Sequence, residues 1–202
     1  MPIEDFSKKY TQTNLISRRI IANFYQEIDR LLNNLPIANA LEVACGPGFS
    51  TQYLTKLCPD INWQASDNET NLVAQAREKN PEINISQESI YQLNRPDNNF
   101  DLVVALEVLE HLAKPEEALQ ELRRVTKTYC LVSVPREPLW RILNMLRGRY
   151  LKNLGNTPGH INHWSGNQLK KFVSPYFTIS KQVQPLPWTI LLLQKSKTLA
   201  PS

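Results

Sequence analysis

"ALEVACGPGFS", residues 40–50, is an apolar run that ends in two glycines and a proline. The pattern predicts a buried strand, then a tight turn, then a helix. Gly46 and Gly48 have no Cβ, so the turn can take positive φ and a ligand can approach its backbone closely. This order of elements places backbone N–H groups at the carboxyl edge of a sheet, where open α/β folds bind small ligands. The stretch therefore predicts a nucleotide-type site, although a plain tight turn uses the same residue types.

Short apolar runs alternate with amphipathic stretches through the rest of the chain, which is typical of an α/β sheet. Strands are predicted at 39–45, 61–66, 82–86, 100–106 and 129–134. Helices are predicted at 49–57, 69–79, 115–126 and 166–173. Crossovers of this length imply parallel strands. The C-terminal stretch YFTISKQVQPLPWTILLLQKS predicts an antiparallel hairpin at the edge of the sheet.

Composition and charge indicate an ordinary globular chain. Of 202 residues, 42% are hydrophobic and 21% charged, and no apolar run approaches the roughly 18 residues of a membrane span. The N-terminal residues resemble neither a signal nor a transit peptide, so we expect a single cytoplasmic domain. A net charge of +4 is too small an excess to indicate nucleic acid as a partner. Cys45, Cys58 and Cys130 lack metal-ligand spacing, so we expect reduced thiols and no metal site.

Asp67 ends the second predicted strand about twenty residues after the glycine turn. An acid at this point can accept hydrogen bonds from both hydroxyls of an adenosine ribose. Aspartate also caps helices often, and the helix predicted from residue 69 would use it in that way. The two roles are compatible, and the spacing favours a ribose contact.

Three stretches, LEVACGPG, SDNE and FDLVVALEVLEHLAKPEEALQELRRV, together resemble the class I S-adenosylmethionine-dependent methyltransferases, in particular the type 11 domains related to ubiquinone and menaquinone biosynthesis enzymes. The resemblance spans residues 38–135. It implies a Rossmann-like, doubly wound, mainly parallel seven-stranded sheet with a C-terminal antiparallel hairpin. It also implies S-adenosylmethionine as the cofactor and methyl transfer as the reaction. The cofactor-binding residues that it implies are Tyr10, Glu42, Ala44, Cys45, Gly46, Gly48, Asp67, Asn68, Glu88, Ser89, Ile90, Leu106 and Glu107.

The sequence departs from the family's pattern at three points. Ala44 replaces the first glycine of the E-x-G-x-G-x-G loop, at a cost of about 1 kcal/mol if positive φ is required. Ser89 stands where the family has an acid, and Glu88 precedes it, so either could bond the adenine. TKTYC after Val125 replaces a Pro-Gly-Gly turn. These departures leave open a non-catalytic cofactor-binding module, and a nicotinamide-dependent oxidoreductase ranks lower because its third glycine would fall at Thr51.

Three histidines are the candidate catalytic residues. Transfer from a sulfonium depends chiefly on alignment of the acceptor and exclusion of water, but an oxygen nucleophile benefits from a base. Only His111, His160 and His163 titrate near neutrality. His111 follows the fourth strand and the other two lie in a polar loop. Each could instead bond the backbone of its own loop.

The stretch REPLWRILNMLRGRYLKNLG, residues 136–155, predicts a basic amphipathic helix. Such a helix can rest on an anionic membrane or bind an anionic substrate, and an ordinary lid helix over the active site fits equally well. We therefore expect a small-molecule or lipid-like acceptor, with 136–155 as a candidate for peripheral membrane contact. The single domain is divided into N-terminal cover helices (1–37), a cofactor-binding core (38–135), a lid insertion (136–165) and a C-terminal helix and hairpin (166–202).

Overall fold

The computed structural model describes residues 15–196 and contains a seven-stranded sheet with helices packed on it. The helices are α1 (Leu15–Leu32), α2 (Phe49–Leu57), α3 (Thr70–Lys79), α4 (Pro115–Val125), α5 (Leu139–Leu146) and α6 (Gly166–Val173). The strands are β1 (Asn39–Val43), β2 (Asn62–Asp67), β3 (Asn84–Gln87), β4 (Phe100–Leu106), β5 (Thr126–Pro135), β6 (Phe177–Val183) and β7 (Trp188–Lys195). Two 3₁₀ turns, Leu109–His111 and Leu151–Asn153, follow β4 and α5.

The strand order, β3-β2-β1-β4-β5-β7-β6, confirms the predicted doubly wound sheet and its C-terminal hairpin. Neighbouring strands from β3 to β5 are parallel, whereas β7 is antiparallel to both β5 and β6. A doubly wound dinucleotide fold has the order 3-2-1-4-5-6 without such an insertion. The position of β7 therefore counts against a nicotinamide-dependent oxidoreductase.

The two larger hydrophobic cores lie on opposite faces of the sheet, and a smaller third cluster packs α3 against β2 and β3. Successive side chains of a strand point to opposite faces, so a central strand covered on both sides is apolar throughout. In β4, Leu102 and Val104 pack with α1, while Val103 and Ala105 pack with α4 and α6. All four side chains are fully buried. The run FDLVVAL is therefore explained by helices on both faces.

The junction of α4 and β5 shows the effect of the missing Pro-Gly-Gly turn. Helix α4 ends at Val125 and β5 begins at Thr126, so no loop separates them. The hydroxyl of Thr126 donates to the Leu122 carbonyl at 2.7 Å and closes the last turn of the helix. The strand predicted at 129–134 therefore begins three residues earlier, at Thr126.

The prediction of one helix across 136–155 is wrong in its extent. Helix α5 covers only Leu139–Leu146, and a 3₁₀ turn follows. Four residues of this stretch, between and after them, take positive φ: Gly148 (67°), Tyr150 (55°), Leu154 (48°) and Gly155 (77°). A right-handed helix cannot continue through such positions. Within residues 15–196, no helix has both the length and the apolar character needed to cross a membrane.

Candidate functional site

The turn after β1 has the left-handed geometry that its glycines predicted. Ala44, Gly46 and Gly48 have φ values of 56°, 56° and 79°. The Gly48 N–H donates to the Cys45 carbonyl at 3.1 Å, and the Cys45 N–H donates to the Ser66 carbonyl at 2.9 Å. Because Ala44 carries a Cβ, its conformation costs about 1–2 kcal/mol relative to a right-handed one. The turn is strained at the position where the sequence departs from the family.

The two glycines have different surroundings. A Cβ on Gly46 would meet no atom within 4 Å, so this face of the turn is open. A Cβ on Gly48 would lie 2.6 Å from Asn80 Nδ2 and 2.9 Å from Ala76 Cα. The Asn80 side chain also donates to the Gly48 carbonyl at 2.9 Å. Gly46 therefore leaves room for a ligand, whereas Gly48 allows α3 to pack against the turn.

Asp67, the last residue of β2, connects the turn to α3. Its Oδ2 accepts a hydrogen bond from the Gly46 N–H at 2.8 Å, and its Oδ1 accepts one from the Glu69 N–H at 2.9 Å. The residue is 6% exposed. Each carboxylate oxygen has two acceptor sites, so both can accept a further bond. The aspartate thus supports the entrance to α3 and is also held beside the open face of Gly46.

Glu42 is a buried acid beneath the same turn. Its Oε2 accepts a hydrogen bond from the Thr51 hydroxyl at 2.5 Å, which ties β1 to α2. Burial raises the pKa of Glu42 to about 7, partly offset by hydrogen bonds from Ser50 and Thr51. Burial also raises the pKa of Cys45, and the nearby Glu42 carboxyl adds to the rise. Thr51 is a partner that sequence analysis missed.

The side chains after β3 divide between structural and accessible positions. Glu88 forms an ion pair with Arg95 at 3.0 Å, and Arg95 also bonds the Ser86 hydroxyl. Ile90 is buried in the core. Ser89 is partly exposed, and its Oγ accepts only a long bond, 3.3 Å, from the Tyr91 N–H. Of the two candidates for the adenine bond, Ser89 is therefore the more accessible.

Three of the residues predicted to bind the cofactor have weaker or no support. Asn68 is exposed, and its carbonyl accepts a hydrogen bond from the Gln87 side chain at 3.0 Å. Leu106 is half-buried against the core that contains α1. Tyr10 lies outside the described residues.

Glu107, directly after β4, joins three strands. It has a φ of 59°. Its Oε1 accepts from the Ser133 hydroxyl at 3.1 Å and its Oε2 from Trp188 Nε1 at 2.5 Å. Ala44 and Glu107 thus take left-handed conformations at the carboxyl ends of the paired strands β1 and β4. Strain of this kind is concentrated at functional sites in proteins.

The structure brings two of the three predicted histidines together. The rings of His111 and His160 meet edge to face, with centroids 4.7 Å apart. His111 Nδ1 lies 3.0 Å from the Gly159 carbonyl oxygen. His163 instead bonds Asn156 Oδ1 through Nε2 at 2.8 Å, and burial together with the charge of Arg141 lowers its pKa.

Glu110 lies beside the pair formed by His111 and His160, and the sequence analysis did not identify it as a candidate site residue. One potential ligand atom from each of Glu110, His111 and His160 lies within 4.8 Å of the others. Glu110 is 2% exposed and His160 is 8% exposed. The adjacency of Glu110 and His111 after a strand is a visible signal, but nothing in the sequence connects them to His160.

Comparison with known sequences identifies a domain. Residues 41–132 match a family described as a methyltransferase domain. An uncharacterized methyltransferase of Schizosaccharomyces pombe is 39% identical over 98 residues, 43% of this chain and 35% of that protein. A probable S-adenosylmethionine-dependent methyltransferase of Mycobacterium tuberculosis is 28% identical over 105 residues, 52% of this chain and 38% of that protein. The chain thus spans less than two fifths of the length of these relatives.

Comparison with solved structures supports the same assignment at the level of the fold. Magnesium protoporphyrin IX methyltransferase from Synechocystis, solved with bound SAH, has a TM-score of 0.69 and covers 94% of this chain and 92% of its own. The two sequences are 19% identical, so the likeness shows a shared fold. Residues 41–132 therefore match a methyltransferase domain, and the described chain has the fold of the class I S-adenosylmethionine-dependent methyltransferases.

Proposed function

We propose that the chain binds S-adenosylmethionine at the glycine turn and transfers its methyl group to a small-molecule or lipid-like acceptor. The observation that carries the proposal is the carboxylate of Asp67, held by two backbone N–H groups beside the open face of Gly46. A fixed acid with spare acceptor sites suits the two hydroxyls of a ribose. The cofactor's adenosine fits this arrangement.

Other residues of the turn would support the cofactor in different ways. Ser89 would bond the adenine, because Glu88 is paired with Arg95. Glu42 would hold the loop through Thr51. When bound, S-adenosylmethionine supplies an electrophilic methyl group. The chain's own task is to orient the acceptor and exclude water, which accounts for most of the catalysis in such a reaction.

On the acceptor side, His111 and His160 would face the nucleophile. His111 follows the carboxyl end of β4, which pairs with β1, the strand that leads into the glycine turn, and the His160 ring packs against His111. His163 is a weaker candidate, because its ring is engaged by Asn156.

The test is calorimetric titration of S-adenosylmethionine and S-adenosylhomocysteine into the wild type and Asp67→Ala. We expect micromolar binding that weakens tenfold or more in the variant, about 1.4 kcal/mol. Asp60→Ala is the matched control, because Asp60 is an exposed acid in the loop before β2 and should leave both affinities unchanged. Circular dichroism confirms that each variant is folded.

Two results would contradict the proposal. A folded wild type that binds neither ligand would remove the cofactor assignment, and equal affinity in Asp67→Ala would remove the role of Asp67. A chain that binds cofactor but forms no S-adenosylhomocysteine with any acceptor tested would favour the non-catalytic module.

Exposed apolar side chains favour an amphipathic or membrane-associated acceptor. Leu146 and Leu154 are 78% and 67% exposed, and Ile161 is 57% exposed. Arg149 and Lys152, both exposed, add positive charge to the same segment. Apolar side chains among cations are typical of surfaces that contact anionic lipid. We therefore extend the proposal to a lipid-like acceptor reached at an anionic surface.

Vesicle co-sedimentation tests this extension. The wild type should bind vesicles that contain phosphatidylglycerol and ignore those of phosphatidylcholine alone. Leu146→Ser and Arg149→Glu should each reduce binding, while Leu15→Ser, an exposed leucine on α1, should not. Equal sedimentation with both vesicle types, or no binding to either, would leave a soluble small molecule as the acceptor.

A further inference from the structure

The cluster of Glu110, His111 and His160 has the dimensions of a metal site. A zinc-type ion lies about 2.0–2.2 Å from nitrogen and oxygen ligands, so ligand atoms around one ion are roughly 3–4 Å apart. The candidate ligand atoms of the cluster lie within 4.8 Å of one another. Small side-chain movements would close them round a single ion.

The backbone orients His111 as a ligand. Its Nδ1 lies 3.0 Å from the Gly159 carbonyl oxygen, so this nitrogen carries the proton and donates. In the neutral ring, Nε2 is then the nitrogen that can coordinate a metal. Metal-binding histidines typically donate their other ring N–H to a carbonyl or carboxylate, which fixes the tautomer and the ring. Gly159 has a φ of 88°, a backbone conformation that glycine adopts readily.

Hydrogen bonds connect the loop that contains His160 to the 3₁₀ turn that contains Glu110 and His111. The Asn162 side chain donates to the Leu109 carbonyl at 3.1 Å and to the Leu112 carbonyl at 2.6 Å. The N–H groups of Ile161 and Asn162 donate to the Glu110 carbonyl at 2.9 and 3.0 Å. The two segments are therefore held together by the backbone before any ion binds.

The types of the three side chains and their burial indicate which kind of metal ion they would bind. Glu110 is 2% exposed and His160 is 8% exposed. Buried charged groups in proteins are hydrogen-bonded, paired with an opposite charge or bound to a metal. Two imidazoles and one carboxylate are the donor set of catalytic zinc sites and of non-haem iron sites, which keep open coordination positions.

We propose that Glu110, His111 and His160 bind a divalent transition-metal ion whose open positions take an oxygen atom of the methyl acceptor. The expectation of no metal site was based on the spacing of the cysteines. His160 is far from Glu110 and His111 in the chain, so the sequence does not connect the three residues. A bound metal lowers the pKa of an oxygen ligand and places it. The acceptor would then be a hydroxyl compound. Metal binding does not depend on the proposed function, whereas the binding of the acceptor's oxygen atom does.

Metal titration of the chelator-treated full chain tests the site. Zn²⁺ is titrated by calorimetry, and Co²⁺ is followed by its visible absorption. We expect one ion per chain in the wild type and at least a 100-fold weaker affinity in Glu110→Gln and His160→Ala. His163→Ala is the matched control, because it removes a neighbouring imidazole outside the cluster and should keep the wild-type affinity.

Either of two results would overturn the site. One is the absence of a single Co²⁺ or Zn²⁺ per folded wild-type chain. The other is binding that His111→Ala and His160→Ala leave unchanged while His163→Ala weakens it. If His160→Ala fails to fold, His160→Gln takes its place, and the wild-type titration decides in any case.

Binding of S-adenosylhomocysteine to the same variants separates this inference from the proposed function. The metal-site variants should keep their affinity for it, because the glycine turn is unchanged. A chain that binds S-adenosylhomocysteine but no metal overturns the metal site alone. A chain that binds metal but not S-adenosylhomocysteine contradicts the proposed function alone.

Catechol, a chelating oxygen donor, probes the open positions of the metal. Its addition to the Co²⁺-loaded chain should shift the visible absorption, and His163→Ala should show the same shift. An unchanged spectrum at saturating catechol would overturn the binding of an oxygen donor while leaving the metal site in place.

Discussion

The glycine turn and the histidine cluster follow β1 and β4, two paired parallel strands, yet they are assembled in different ways. The turn and its acids come from two consecutive strand ends, so Asp67 reaches Gly46 across one strand pair. The cluster joins a 3₁₀ turn after β4 to a loop close to α6, and backbone bonds hold the two segments together.

This difference has consequences for stability. The turn is packed between α2, α3 and the buried side of the sheet, so a change there should affect global unfolding. The loop of His160 lies beyond the core, so a change there should open a local segment.

The largest expected effect is that of Gly48→Ala. A Cβ would collide with Asn80 and Ala76 at a φ of 79°, so we expect the free energy of unfolding to fall by about 3–5 kcal/mol. Gly46→Ala meets no neighbour and should lose only about 1–2 kcal/mol from its positive φ. Urea denaturation measures both, and equal losses would contradict the separate roles given to the two glycines.

The next effect is on the pH dependence of stability. Glu42 has a pKa of about 7 in the folded chain against 4.5 for an ordinary glutamate. Between these values the folded chain holds a proton that the unfolded chain has lost, so the contribution of Glu42 to stability decreases as pH rises. The whole loss is about 3 kcal/mol, at about 1.4 kcal/mol per pKa unit.

Glu42→Gln should remove this slope. Urea denaturation at about pH 5 and about pH 8 should show a smaller difference in the variant than in the wild type. Glu82→Gln is the control, because Glu82 is exposed. Identical pH dependence in the wild type and Glu42→Gln would show that the buried acid keeps its ordinary pKa.

A smaller and local effect is expected at Asn144, which is 2% exposed. Its side chain donates to the Gly155 carbonyl at 2.9 Å and to the Thr157 hydroxyl at 3.2 Å. Asn144→Ala should cost the local segment about 1–3 kcal/mol. Hydrogen exchange of residues 151–163 should accelerate about tenfold or more while urea denaturation changes little.

Asn153→Ala is the control for the Asn144→Ala experiment, because the Asn153 side chain is exposed. A matching loss of global stability in Asn144→Ala would show that this loop unfolds together with the core.

The smallest effect is a gain. Ala44→Gly relieves about 1–2 kcal/mol of left-handed strain and loses about 0.4–1 kcal/mol through the greater freedom of the unfolded chain, so we expect a net gain of about 0.5 kcal/mol. Glu107→Gly should destabilise instead, because Glu107 bonds Ser133 and Trp188. Thermal unfolding of the two variants measures the contrast, and a loss in Ala44→Gly would mean that the alanine methyl contributes packing.

Local pattern was sufficient for the strands and for the left-handed turn after β1. Apolar runs and turn residues predicted every strand of the sheet, because strand burial and turn geometry depend on neighbours in sequence. The same holds for Gly46 and Asp67, which lie at the ends of consecutive strands. The helix across 136–155 was predicted too long, because its apolar spacing continues through residues that take left-handed φ.

The sequence by itself determined the strands, the C-terminal hairpin and the glycine turn with its acid. Only the tertiary structure decided that Gly48 allows α3 to pack against the turn and that Glu88 forms an ion pair with Arg95. It also brought His160 next to Glu110 and His111. The physical reason is the range of the interactions. Backbone conformation and burial periodicity are read within a few residues, whereas contacts between elements distant in the chain exist only after the sheet and its loops have packed.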